Sequence, residues 1–453
     1  MMKGIRPLLL VLVSLSSLLA ASTRQQGRPK PHTPTCGTWD VVFSPSPNGS
    51  ASLSGIANVP GTPELWSVGI YNGNFHWLTL IEHWDGVAWQ VITSPNYPSA
   101  DHYLYGVAAL AADDVWAVGR YEPDAGGTST LVLHWDGTTW STVPSPNPAT
   151  YSGLYAVAVR AVNDVWAVGY YYSANAQRTL IEHWDGNSWS IVASPNVGSL
   201  DNLLQAVAVV PNSTNVWAVG TSYHNGGNST LVQQWSGSAW SIVPSPDGST
   251  RENYLTGVSS TGPNDAWTVG YYNNSTGLYL PLTEHWNGTS WQVVPSPALS
   301  SSLTGLTAVS SLSSNDVWAV GTYFGPGAQQ TLAQHWDGTS WQVFSTPNPA
   351  GTDFGAINVF AAVANVPGIG VWAAGYYEVT KPAAPAQSLT AFYCPAGSRT
   401  PTPTATPAPT ATITPSPTGT PMATATPTPT ATATATARST PSHRPRPTAP
   451  PRP

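Results

Sequence analysis

A tryptophan returns in this chain about every fifty residues, inside a short apolar phrase whose commonest form is Val-Trp-Ala-Val-Gly. It stands at Trp66, Trp116, Trp166, Trp217, Trp267, Trp318 and Trp372, in steps of 50, 50, 51, 50, 51 and 54 residues. A period of that length means one supersecondary unit made repeatedly, each copy burying its apolar face against the next. In the copy over 154–196, four short apolar runs are separated by turn signals: 154–159 (strand A), 165–168 (B), 180–184 (C) and 188–192 (D). Asp185-Gly186 between C and D marks a tight hairpin, and none of the runs has a helical period.

Four antiparallel strands repeated seven times predict an all-β chain, a seven-bladed β-propeller of four-stranded antiparallel blades. Of the 21 tryptophans, 20 occupy repeated positions on strands B, C and D, where they read as core, and Trp77 alone falls outside the pattern. The repeat begins in mid-phrase: residues 36–48, with Trp39, match only the last strand and exit of a unit. The seventh unit lacks that strand, because Phe392-Tyr393 runs directly into Cys394-Pro395. Strand 38–43 is therefore expected to complete the last blade and close the ring, which removes the open edge of a linear array. The only two cysteines lie at this seam, Cys394 in the place of Asp85 and Cys36 in that of Gly86. In an exported chain they are expected to form a disulfide rather than a metal or nucleophile pair.

Residues 1–22 carry Lys3 and Arg6, an apolar run too short to span a bilayer and a small-residue exit, so they read as a signal peptide. Residues 23–35 read as a flexible leader, 36–396 as the propeller, and 397–453 as a Pro/Thr-rich stalk with 15 Pro and 17 Thr over 401–453. The expected protein is secreted, monomeric and without a transmembrane segment, with the arginines of its tail offering contact to an anionic cell wall. Between 36 and 396 there are 22 acids against five bases, which excludes nucleic acid as a partner.

The sequence of phrases Val-Trp-Ala-Val-Gly, His-Trp-Asp-Gly and a tryptophan three residues after that glycine resembles the kelch repeat across residues 38–394. One departure is visible: the paired glycines of kelch repeats appear here as Gly169-Tyr170, Gly270-Tyr271 or Gly321-Thr322. The turn also resembles an Asp-box, one residue short and without its leading Ser. The resemblance implies a propeller, and such propellers include binding modules, oxidases and sialidases, so it assigns no function. A kelch-type copper oxidase would need a cysteine-modified tyrosine, whereas both cysteines are used at the seam.

His83, His134, His183, His285 and His335 share one position on strand C, well out from the axis on which rotated copies converge. They read as hydrogen-bonded structural histidines, and no metal or cofactor is expected. Asp114, Asp164, Asp265 and Asp316, just before strand B, are expected to cap a turn. Function should lie where the copies differ, on the face formed by the DA and BC connections, because loops on a rigid scaffold carry binding groups. The expected binding residues are Trp77, His76, Tyr71, Tyr121, Tyr171, Arg178, Tyr223, Tyr272, Tyr323 and Tyr377, a composition suited to carbohydrate or protein at a cell surface. Trp77 is expected on the first BC loop, either folded down as a plug over the neighbouring blade or, as the preferred reading, offering a stacking platform to a ligand. The alternatives are a secreted hydrolase or lyase of sialidase-like type, for which Arg120, Arg178 and Arg251 would have to act together, and a structural envelope scaffold.

Overall fold

The computed structural model describes residues 35–395 apart from 225, 300–302 and 381–382. The signal peptide, the leader up to residue 34 and the stalk lie outside the described residues. What is described is all-β, with one short 3-10 turn at Pro47–Gly49. No helix there is long and apolar enough to cross a membrane.

Unit 3 shows the repeat: strand A is Ser152–Ala161, B is Asp164–Ser173, C is Ala176–Trp184 and D is Trp189–Ile191, antiparallel in that order. Strands B and C run well past their apolar phrases, because backbone pairing continues through the tyrosines and polar residues that follow. Their hairpin is closed by Ala174 and Asn175 at φ 51° and 66°, the left-handed pair that suits the twist of a two-residue connection. In every unit strand A carries a register shift at the same point, between Leu104 and Gly106 or between Leu154 and Ala156 for example. The bulge leaves one extra residue and bends the strand. The glycine that ends the tryptophan phrase is explained beside it. A Cβ on Gly169 would collide with the carbonyl oxygen of Gly153 on strand A, and the same holds for its six counterparts.

The B-strand tryptophans are between 0% and 3% exposed. Each meets the C- and D-strand aromatics of the following unit: Trp116 lies 5.1 Å from Trp184 and 5.4 Å from Trp189. From unit 7, Trp372 lies 4.7 Å from Trp84 and 5.6 Å from Trp89 of unit 1. Such pairs add about 0.5–1.5 kcal/mol each to the burial of their surfaces. Seven apolar clusters follow, each built by two consecutive units, the last by units 7 and 1.

The strand count per sheet corrects the expectation of seven separate blades. Among the described residues there are six sheets: five of four strands, and one of eight in which units 6 and 7 are joined. The join is one parallel pairing, Gln329 with Ile357, made because strand C of unit 6 (Gln329–Trp336) begins beside strand A of unit 7 (Ile357–Val366). Strand Trp39–Val42 pairs with Gln387–Tyr393, Trp39 opposite Tyr393, so the N-terminal strand lies where the sequence placed it. Cys36 and Cys394 are joined by a disulfide.

Candidate functional site

The two ends of each unit differ chemically. At the AB/CD end, the side chains of Asp85, Asp136, Asp185, Asn287 and Asp337 each accept two backbone N–H groups of their own turn at 2.8–3.0 Å. At Asp136 the Thr138 hydroxyl and these two backbone bonds favour the carboxylate and hold it down at about 2. The aspartates before strand B do not cap a turn as expected. Asp164 accepts His183 Nε2 at 2.9 Å and the Trp166 indole N–H at 2.7 Å, and Asp114 does the same for His134 and Trp116. Opening strand B, their side chains face strand C, where the histidine stacks on the tryptophan at 4.3 Å. Among the described residues no group of three or more His, Cys, Asp or Glu could hold a metal.

At the DA/BC end the connections are held from beneath. Asn202, Asn253 and Asn358, all buried on strand A, accept the N–H of Val197, Ser249 and Ala350 at 2.8–2.9 Å, and His102 Nε2 accepts that of Tyr97 at 2.8 Å. Desolvation lowers the pKa of His102, which suits an accepting ring. The Ser-Pro-Asn phrase after strand D, Thr-Pro-Asn in unit 6, fixes the other side: Asn96, Asn147, Asn196 and Asn348 accept the N–H of a threonine on strand C at 2.8–3.0 Å. That phrase is plain in the sequence, and it was the available signal for ordered rather than loose connections.

Nine of the ten expected binding residues lie in strands, because strands B and C are longer than the apolar runs. Trp77 is not on the BC loop. It opens strand C of unit 1 (Trp77–Trp84), half-buried, with its backbone N–H donating to Asp101 Oδ1 at 2.9 Å. His76, in the turn, sits 3.3 Å from Asp101 and 3.9 Å from Asp124. Tyr71, Tyr121, Tyr171, Tyr272, Tyr323 and Tyr377 share one place, two residues after the phrase glycine, and each packs against a cluster between units. Tyr223 is partly buried, with its N–H on the Asp201 carbonyl at 2.7 Å. Arg178 donates to the carbonyls of Gly198, Ser199 and Leu200 and so braces its own DA connection.

What the list omitted is exposed. Phe75 is 94% and Phe354 78% exposed, and Tyr151, Tyr97, Tyr172 and Phe324 are exposed at the same end. A second group lies just inside that end, between units 2 and 3. Arg120 stands 5.1 Å from the Tyr103 ring and 5.8 Å from the Tyr105 ring, donates to the Tyr170 hydroxyl at 3.1 Å and pairs with Glu122 at 2.9 Å. Burial alone would lower its pKa, but Tyr105, Tyr170 and Glu122 outweigh that and hold the guanidinium above its ordinary value. Burial pushes the Tyr105 hydroxyl up to about 12 and raises Tyr103 and Tyr155 as well, so all three stay protonated.

The arginines required by a sialidase-like site are engaged apart. Arg178 is spent on its loop, Arg251 donates to the Asn274 carbonyl at 3.3 Å, and Arg120 is held by its own cluster. A tyrosine and carboxylate do meet: Glu252 accepts the hydroxyls of Tyr254 at 2.9 Å and Tyr279 at 3.2 Å. Burial and this carboxylate raise the pKa of Tyr254, which keeps its proton on, the reverse of an activated nucleophile.

Repeated four-stranded antiparallel sheets, packed against one another through a tryptophan from each unit, define a β-propeller. No protein-family model matches this chain, and no curated protein sequence matches it. Among solved structures it is similar to YCF48 bound to D1 peptide, with a TM-score of 0.49 and 14% identity over 79% of this chain and 95% of that one. It is similar to the GH74 xyloglucanase from Xanthomonas campestris, with a TM-score of 0.47 and 16% identity over 74% of this chain and 53% of that one. To the SapL1 lectin in complex with alpha methyl fucoside the TM-score is 0.40, with 13% identity over 65% of this chain and 95% of that one.

Proposed function

We propose that the chain is an exported binding module that takes a glycan or a protein on its DA/BC end. The observation that carries this reading is the placement of exposed aromatics. Phe75, Phe354, Tyr151, Tyr97, Tyr172 and Phe324 all stand at that end: Tyr97 and Phe354 on DA connections tied down by His102 and Asn358, Tyr172 and Phe324 at the ends of B strands, and Phe75 in the BC turn of unit 1. Aromatic rings on prefixed connections lose little conformational entropy on binding. Trp77 and His76 adjoin Phe75 and belong to the same surface. A glycan array and a cell-envelope extract, each probed with wild type and with Phe75→Ala/Phe354→Ala, test this. Capture that the double variant loses supports the reading, and equal capture by both sinks it.

We further infer that the eight-stranded sheet is two blades, that seven blades close into a ring with the N-terminal strand completing the last, and that the units are kelch-like. Contact of Trp372 with Trp84 and Trp89, and the cluster built by units 7 and 1, support closure. An experimental structure with an open gap between units 7 and 1 would remove it. Export through the signal peptide agrees with the disulfide. Attachment of the stalk to a cell wall is tested by fractionating cells that make the chain with and without residues 397–453.

A further inference from the structure

Units 2 and 3 depart from the repeat in one place. The bulge residue of strand A is small or amide-bearing in the other units, namely Ser54, Gln205, Thr256, Thr307 and Ala361, but here it is Tyr105 and Tyr155. Their rings meet across the two units at 5.4 Å, and Tyr155 lies 5.4 Å from Tyr170. Arg120 crosses from unit 2 to unit 3 above Gly153, where a Cβ would stand 3.5 Å from the arginine's own Cβ and Cδ and 3.2 Å from the Tyr170 ring. The result is a wall of partly exposed Tyr103, Tyr105 and Tyr155 beside an arginine and carboxylate whose side chains are 24% and 36% exposed.

The wall's polar groups are only partly used. Of the five N–H donors of a guanidinium, Arg120 spends two, on Tyr170 and Glu122, and its Nε is buried with no partner among the described residues. The hydroxyls of Tyr103, Tyr105 and Tyr155 likewise lack a protein partner among the described residues. An apolar ligand would leave these groups unsatisfied, at a cost of about 1–3 kcal/mol each. An anion would meet Glu122 at 2.9 Å from Arg120, the cation of the wall, within a fold of 22 acids and five bases. A neutral ring with adjacent hydroxyls meets both requirements: the guanidinium donates, the carboxylate accepts, and an aromatic face covers its C–H side.

We propose that the wall formed by Tyr103, Tyr105, Arg120, Glu122 and Tyr155 is a binding site for a neutral saccharide ring. This rests on the reading of the DA/BC end as the binding end, since Tyr103 and Arg120 pair in the half of their strands nearest it, and it names the ligand class.

The test is calorimetric titration of the exported protein with cellohexaose, xylohexaose and mannohexaose, with hexagalacturonate as the charged counterpart. At least one neutral hexasaccharide binds, about tenfold or more weaker to Arg120→Met and to Tyr105→Ala, and unchanged with Ile242→Ser on the outer edge of unit 4. Tyr105→Phe, which keeps the ring, separates loss of a hydroxyl from loss of fold, and melting curves accompany each variant. Failure of all three neutral sugars to bind, tighter binding of hexagalacturonate, or wild-type binding by folded Arg120 and Tyr105 variants each overturns the site. If sugar binding survives those variants but is lost in Phe75→Ala/Phe354→Ala, the loop-end reading stands and the wall is not the site. If the double variant also loses nothing, both fail.

Discussion

The AB/CD end and the DA/BC end of each unit are built from the same four strands, yet they are in opposite chemical states. At the first, the polar groups are either used within the unit, as in unit 3, where Asp185 holds its own turn and Asp164 takes both the His183 ring and the Trp166 indole, or sealed away, as are the buried indole N–H groups of the D-strand tryptophans. At the second, connections differ in length and sequence, their backbones are pinned, and aromatic faces and an arginine are left with capacity to spare. An end whose polar groups are either matched within the unit or buried beneath its rings does not present them to a ligand. An end with the same rigidity and unspent groups does.

The largest effect belongs to the seam, where the disulfide stands in for a turn of the AB/CD end. Replacing Cys36 and Cys394 by Ser opens a loop with a sequence separation of 358 residues and should lower stability by up to about 6 kcal/mol in denaturant titration. An unchanged midpoint would mean the seam is held by strand pairing alone.

Next come three carboxyls between the ends. Glu82, Glu182 and Glu284, on strand C, are buried, each accepting a serine hydroxyl from the preceding unit at 2.6–2.7 Å, Ser44, Ser145 and Ser245. Burial raises each from 4.5 to about 8, with the serine bond opposing. The folded chain therefore keeps protons that the unfolded chain releases above 4.5. Their stability contribution is complete below that value and is lost as pH rises through about 8, by on the order of 1.4 kcal/mol per unit for each group. Gln233 and Gln334 occupy the same position and bond to the carbonyls of Pro195 and Pro297. Glu182→Gln should thus match wild type near pH 4 and exceed it by about 3 kcal/mol near pH 7.5; a variant weaker at both values would show that the site holds a charge.

A smaller loss is expected from Asp164→Ala, which leaves the Trp166 indole N–H and His183 without their acceptor, about 1–3 kcal/mol by thermal melting. Units 1, 4 and 5 already bury the indole N–H of Trp66, Trp217 and Trp267 without a partner, so a loss near zero would mark this set as dispensable. Smallest of all is Phe75→Ala, within about 0.5 kcal/mol of wild type in stability. A larger fall would show that the ring is covered, and the DA/BC end would lose its most exposed aromatic.

How much could be read beforehand follows the range of the interactions. Turn residues and strand order are local, so Asp185-Gly186 and the alternation around Trp189 announced themselves. The missing seventh D strand could be counted, and the count placed Trp39 beside Tyr393 and Cys36 beside Cys394. Strand length was not legible, because hydrophobic pattern stops at the phrase glycine while backbone pairing does not; that is why Tyr171 and Trp77 moved from loops into strands. The aspartates were misassigned for a related reason: Asp164 precedes strand B in sequence, but its acceptor oxygen is claimed by a histidine nineteen residues on.

By itself the sequence determined the unit, its number of copies and the way the two chain ends complete one another, since each is a matter of spacing along the chain. Only the tertiary structure decided which copies meet and what faces what. Arg120 and Tyr170 stand one repeat apart in sequence, and nothing in that spacing says whether they touch. Contact arises because neighbouring strands A abut and Gly153 leaves room for the arginine's stem, a packing condition set by units 2 and 3 together.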